Sequence, residues 1–122
     1  MKNLYSLLLT VCLFFGGLVY GQLPTVSINN PSVTEGNAMS FIITLSSTST
    51  TEVVIDLTTS TGTAGLADFQ FFSGTVIIPP DTPYISLPLF TIDDVISEQP
   101  EVFTLNGTIT SGNTSNTNIQ KY

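Results

Sequence analysis

The sequence predicts an all-β domain, a sandwich of short antiparallel strands. Apolar and polar residues alternate over runs of five to seven residues, turn-forming clusters separate the runs, and no segment repeats its apolar residues every 3.6 positions. Alternation with period two places one face of a strand in a core and the other in water. Short strands broken by Gly, Pro and Asn at regular intervals are the pattern of a sandwich.

The strands follow in order. A first strand is expected near 25–30, ahead of Asn30-Pro31. A second, near 39–46, sets Phe41, Ile43 and Leu45 on one face. A third, near 52–58, aligns Val53, Ile55 and Leu57 and turns Asp56 outward. A fourth is expected near 74–79, before Pro79-Pro80-Asp81. A fifth, near 84–92, aligns Ile85, Leu87 and Leu89 and contains Pro88. Proline cannot donate to a ladder, so this strand belongs at an edge or carries a bulge. A sixth, near 102–109, aligns Phe103 with Leu105. The segment from Ser111 to Asn118 is polar and turn-prone. Six strands and a loop fall one short of a seven-stranded sandwich, and an unpaired edge invites aggregation. The expectation is therefore a sandwich lacking its last strand, in a chain that is the start of something longer.

Residues 1–21 read as a secretory signal peptide. Lys2 supplies the positive start, Leu4 to Val19 the apolar stretch and Gly21 a small residue for cleavage. The run is short for a membrane span and Gly16-Gly17 interrupts it, although an uncleaved anchor is the competing reading. Cys12 lies inside the apolar stretch after bulky Val11, a poor setting for lipid attachment. Residues 22–110 form the domain and 111–122 its polar end. The expected location is extracellular, in secreted form or at the cell surface. Beyond residue 21 there is no cysteine, so no disulfide framework holds the fold.

Charge narrows the function. Nine acids face two lysines, Lys2 and Lys121, and the net charge is −7. Such a chain repels phosphate backbones and anionic lipid surfaces. There is no histidine for a conventional Ser–His or Cys–His pair, and no tryptophan to stack on sugars. Paired carboxylates could serve a glycosidase, but a domain this small has no evident cleft, and no small-molecule substrate is indicated.

Four acids crowd into the segment from Asp93 to Glu101. In a sandwich of reversing strands, the loops after the first, third and fifth strands share one end. Glu35, Asp68, Asp93, Asp94, Glu98 and Glu101 lie on or beside these loops, so six of nine acids meet there. Glu52, Asp56 and Asp81 scatter elsewhere. An all-oxygen cluster suits Ca²⁺, which takes six to eight oxygens at about 2.3–2.6 Å, and excludes the usual zinc and copper chemistry. The bland alternatives stay open. The cluster could be a solvated acidic loop, Glu35 a turn residue before Gly36, and Asp68 a turn cap.

The order Pro24-Thr25-Val26-Ser27-Ile28, Val33-Thr34-Glu35-Gly36, Gly62-Thr63-Ala64 with Asp68-Phe69, Gly74-Thr75-Val76-Ile77-Ile78-Pro79, and Ile92-Asp93-Asp94 with Glu98 and Glu101-Val102-Phe103 resembles the Calx-beta domain. That module occurs in sodium–calcium exchanger regulatory loops and in large bacterial surface proteins. The resemblance runs from about Pro24 to Leu105. It implies an immunoglobulin-like antiparallel sandwich that binds Ca²⁺ through loops at one end. By motif, Glu35, Asp68, Asp93, Asp94, Glu98 and Glu101 match the acidic positions of the family's calcium-binding members. Val95 stands where a third Asp is frequent, Gln99 and Pro100 replace further acids, and the 62–68 loop is one residue shorter. Together with the missing last strand, these departures imply fewer and weaker calcium sites.

Two functions follow for a non-catalytic module in an adhesive or communicating surface protein. One is weak Ca²⁺ binding. The other is a metal-free spacer or adhesion domain. The expected partners are neighbouring domains of a longer surface protein, or another surface protein.

Overall fold

The computed structural model describes residues 22–121. The expected signal peptide at 1–21 lies outside the described residues. The strands are β1 (Val26–Ile28), β2 (Ala38–Leu45), β3 (Val53–Thr61), β4 (Ser73–Ile78), β5 (Tyr84–Phe90), β6 (Phe103–Ser111) and β7 (Asn118–Lys121). They form two antiparallel sheets, ordered β1-β2-β5 and β4-β3-β6-β7.

The alternation in sequence becomes the core. Phe41, Ile43 and Leu45 of β2 and Val53, Ile55 and Leu57 of β3 are all buried. Leu89 of β5 and Phe103 and Leu105 of β6 join them. These inward faces meet between the sheets, where apolar burial is the main driving force for folding. At Gly107 of β6, an added Cβ would lie 2.9 Å from a methyl of Leu57, its cross-strand partner, so the Leu57 side chain packs over the space the glycine leaves. Asp56 faces outward, as expected, and accepts a 2.6 Å hydrogen bond from the Thr75 hydroxyl. Pro88 lies on β5, an edge strand, as expected.

An aromatic group closes the core at the end where the acids gather. Phe69 and Phe103 stack with centroids 4.2 Å apart, and Phe41 meets Phe103 edge-on at 6.0 Å. Offset stacking and edge contacts of this kind add to simple area burial.

The expected absence of a last strand is overturned. The polar stretch turns at Gly112, whose φ is +115°, and returns as β7. Residues Asn118 to Lys121 pair with Thr108 to Leu105, which makes a seven-stranded sandwich. Polarity hid this strand because β7 exposes Asn118 and Gln120 and half-buries only Ile119 and Lys121. An edge strand with so little buried surface needs few apolar residues.

Asn116 ties the two sheets together beside β7. Its side chain accepts from the Val26 N–H and donates to the Val26 carbonyl, both at 2.9 Å. The amide thereby mimics a neighbouring strand for a residue only 2% exposed. Asn116→Ala leaves both Val26 backbone groups without a partner and is expected to cost about 1–3 kcal/mol. Urea unfolding of the variant checks this; an unchanged midpoint would show that β1 does not depend on Asn116.

Candidate metal centre

Three loops meet at one end of the sandwich: residues 29–37, 62–72 and 91–102. Their convergence is built into the main chain. The Asn37 carbonyl accepts from both the N–H and the hydroxyl of Thr91, at 3.1 and 3.0 Å. That bond pair joins the first loop to the third. The Ile92 N–H donates to the Asp68 carbonyl at 2.8 Å, joining the third loop to the second. Farther along, the Ala64 N–H donates to the Val102 carbonyl at 2.9 Å, and the Val102 N–H to the Thr63 hydroxyl at 2.8 Å.

Close packing makes two glycines obligatory. Gly36 has φ +78°, a conformation that side chains strain, and an added Cβ would sit 2.9 Å from the Asp93 Cβ. At Gly62, an added Cβ would fall 2.3 Å from the Val102 carbonyl oxygen. The Glu35-Gly36 and Gly62-Thr63 motifs thus serve the loop contacts first.

Asp68 is the best-fixed acid. It is half-buried above Phe69, and its Oδ2 accepts from the Gly65 N–H at 2.6 Å. The turn-capping role expected as an alternative is therefore present, and it also holds the carboxylate in place. Glu98 and Glu101 come to it from the third loop. One carboxylate oxygen from each of Asp68, Glu98 and Glu101 lies within 4.8 Å of the other two. Glu35 and Asp93 line the same cavity of about 840 Å³, whose floor includes Phe41, Phe69 and Phe103. Asp94 behaves differently. Its Oδ1 accepts from the Ile96 N–H at 2.7 Å, so this carboxylate folds back onto its own loop. It lies outside the cavity lining.

The six acids therefore share one end but not one role. Asp68, Glu98 and Glu101 form the centre, Glu35 and Asp93 flank it, and Asp94 adds only its charge. Sequence reading missed Asn37, Thr91 and Thr63, which lace the loops. Small polar residues beside turns are too common for their hydrogen bonds to be foreseen without the fold.

Crowding alters the acids' proton affinity. The Glu98 carboxyl is held above the usual carboxylate range, chiefly by Glu101, then by lost hydration and the charges of Asp94, Asp68 and Glu35. Glu101 is raised by lost hydration first, then by the charge of Asp68 and a hydrogen bond with it, and by Glu35 and Asp94. Like charges and desolvation both favour the neutral form.

The donor chemistry fits a hard cation. Two oxygens bound to one Ca²⁺ at 2.3–2.6 Å can lie up to about 5.2 Å apart, so the observed spacing permits a common ion. Asp68, Glu98 and Glu101 would hold it, with Glu35 and Asp93 close enough to the cavity to contribute oxygens directly or through water.

No family model and no curated protein matches the sequence. The fold, however, is similar to that of solved structures. The chain is similar to the apo form of the Calx CBD1 domain, with a TM-score of 0.62 and 14% identity, covering 82% of this chain and 96% of that one. It is also similar to the Calx CBD2 domain, with a TM-score of 0.62 and 14% identity, covering 76% of this chain and 65% of that one. The all-β sandwich of the Calx-beta kind expected from the motifs is the fold found.

The raised carboxyls have a stability consequence. A folded-state acid that holds its proton more tightly than in the unfolded chain destabilises the fold while ionised. That cost is present above the raised folded-state value and disappears as pH falls to the ordinary glutamate range. In chelator at neutral pH, Glu101→Gln is expected to melt above the parent, and the difference should shrink as the buffer is acidified through that range. Thermal scans over a pH series check this; a variant that melts lower at neutral pH contradicts it.

Proposed function

We propose that this domain is a non-catalytic, extracellular Calx-beta module that binds Ca²⁺ weakly through the loops at its acidic end. The observation that carries the reading is the meeting of Asp68, Glu98 and Glu101 oxygens within 4.8 Å, on three carboxylates with no basic side chain nearby in sequence. The Calx-like fold supports it. So does the raised proton affinity of Glu98 and Glu101, because a site that favours protonation also favours another cation.

Binding would work by mass action and by charge. The ion replaces mutual repulsion with attraction, and each bound oxygen fixes part of the exposed 92–101 segment. Calcium thus stiffens the acidic end of the domain. The site supplies few fixed ligands. Asp94 is engaged with its own backbone and Val95 offers no oxygen from its side chain. The affinity expected is that of extracellular modules, on the order of 10⁻⁴–10⁻³ M. The setting is an exported chain at the cell surface or in secreted form, within a longer adhesive or communicating protein.

A metal-free spacer is the second reading. Exposure of the whole segment from Ile92 to Glu101 favours it, since water can screen these charges without an ion.

Calorimetric or optical melting with and without calcium separates the two. At 10 mM Ca²⁺ and a Kd of 10⁻⁴–10⁻³ M, mass action adds about 1.4–2.7 kcal/mol, several degrees in melting temperature. Asp68→Asn combined with Glu101→Gln should abolish the response. Equal stabilisation by Mg²⁺, or no shift with either ion, would favour the spacer.

A further inference from the structure

The chain contains one Asn-Gly pair, Asn106-Gly107, in the middle of β6. Asparagine before glycine is chemically labile. The glycine has no Cβ to shield its nitrogen, and its backbone rotates freely. That nitrogen attacks the asparagine Cγ, and its proton leaves with the side-chain amide as ammonia. The product is a succinimide ring, which water reopens. Opening at the side-chain carbonyl gives aspartate, and opening at the main-chain carbonyl gives isoaspartate. Turns are the usual place for this pair. Here it stands in an interior strand, between β3 and β7.

Packing accounts for the glycine. An added Cβ at Gly107 would lie 2.9 Å from a Leu57 methyl and 3.3 Å from an Ile55 methyl. The core thus keeps the reactive pair, and protection comes from its surroundings. Three restraints supply it. The Ile109 N–H donates to the Thr117 carbonyl at 2.8 Å, which sets the phase of the β6–β7 ladder. Backbone groups alternate in direction along an antiparallel strand, so those of Gly107 also face β7, where Ile119 is its partner. The attacking nitrogen is therefore held in the ladder. The target is held as well, because the Asn106 Nδ2 donates to the Ser60 Oγ of β3 at 3.0 Å. Lastly, the extended backbone of Asn106 turns the Gly107 nitrogen away from Cγ.

Of the strands around the pair, β7 is the slighter guard. It has four residues and lies at the sheet edge, and Ile119 is its one residue packed against the apolar core. Segments with so few buried contacts open locally at low free-energy cost.

We propose that Asn106 is a latent deamidation site that β7 keeps closed. When β7 detaches, β6 becomes an edge strand and the Gly107 N–H loses its acceptor. Rotation about Asn106 then gives up its carbonyl's bond to Thr58 on β3. The reaction makes the change permanent. Aspartate adds a carboxylate beside Thr58, diagonal to Asp56 across the β3–β6 ladder. Isoaspartate lengthens the main chain of β6, so the residues beyond it lose register with β3 and β7. The hairpin cannot re-form as before, and detachment of β7 is recorded in the chain.

Peptide mapping by mass spectrometry of protein held at mildly alkaline pH, with hydrogen exchange on the same samples, tests this. Aspartate and isoaspartate are expected at position 106 ahead of every other asparagine. They should form several-fold more slowly in the folded protein than in the urea-unfolded chain. Ile119→Pro removes the β7 N–H that meets the Gly107 carbonyl and should speed the reaction several-fold, whereas Asn106→Gln should remove it. If Ile119→Pro misfolds, the parent in urea below its unfolding transition gives a second test. There, deamidation and exchange of the Gly107 amide should rise together while the Asp56 and Thr58 amides of β3 stay protected. Three results would overturn the proposal: a folded parent that reacts as fast as the unfolded chain, a folded Ile119→Pro variant that reacts no faster than the parent, or a rate that rises only once Asp56 and Thr58 also exchange.

Discussion

Backbone hydrogen bonds hold like charges together at the acidic end of this sandwich. Carboxylates left to themselves would move apart in water. Here Thr91 is bound twice to Asn37, Ile92 to Asp68, and Ala64 and Val102 to each other's loop. Each such bond contributes about 1 kcal/mol net, and none depends on the ionisation of a side chain. Beneath them, the stack of Phe69 on Phe103 joins the second loop to β6. These contacts use no carboxylate oxygen, and the crowded charges beside them raise the proton affinities of Glu98 and Glu101.

This division explains which acids matter. Asp68 sits on the laced part of the scaffold, beside the buried Phe69, and a main-chain N–H orients its carboxylate. Glu98 and Glu101 sit on the segment that the lacing leaves free, between Ile92 and Val102. A cation binding all three would connect the fixed part to the free part. The edges show a similar economy. Asn116 and Pro88 guard two strands through one residue each.

Much of the fold was legible because its period is simple. Six strands were expected within a few residues of their observed bounds, since the inward Phe41, Ile43, Leu45, Val53, Ile55 and Leu57 leave an unmistakable alternation. The convergence of the acidic loops followed from strand reversal alone. β7 was missed because an edge strand with polar exposed residues has almost no period to read. The split among the acids was equally illegible. Asp93 and Asp94 are adjacent in sequence, yet one lines the cavity and the other caps its own turn. Asp93 packs against Gly36 of a loop distant in sequence, whereas Asp94 bonds within its own loop.

The central claim is that a single cation joins Asp68 of the second loop to Glu98 and Glu101 of the third, beside Glu35 of the first. Amide chemical shifts recorded during a calcium titration test it most directly. Residues near Glu35, near Asp68 and from Asp93 to Val102 are expected to shift together along one binding curve with a common midpoint. Shifts confined to the 93–101 segment, or a separate midpoint for each loop, would contradict it and leave the acids as a solvated surface.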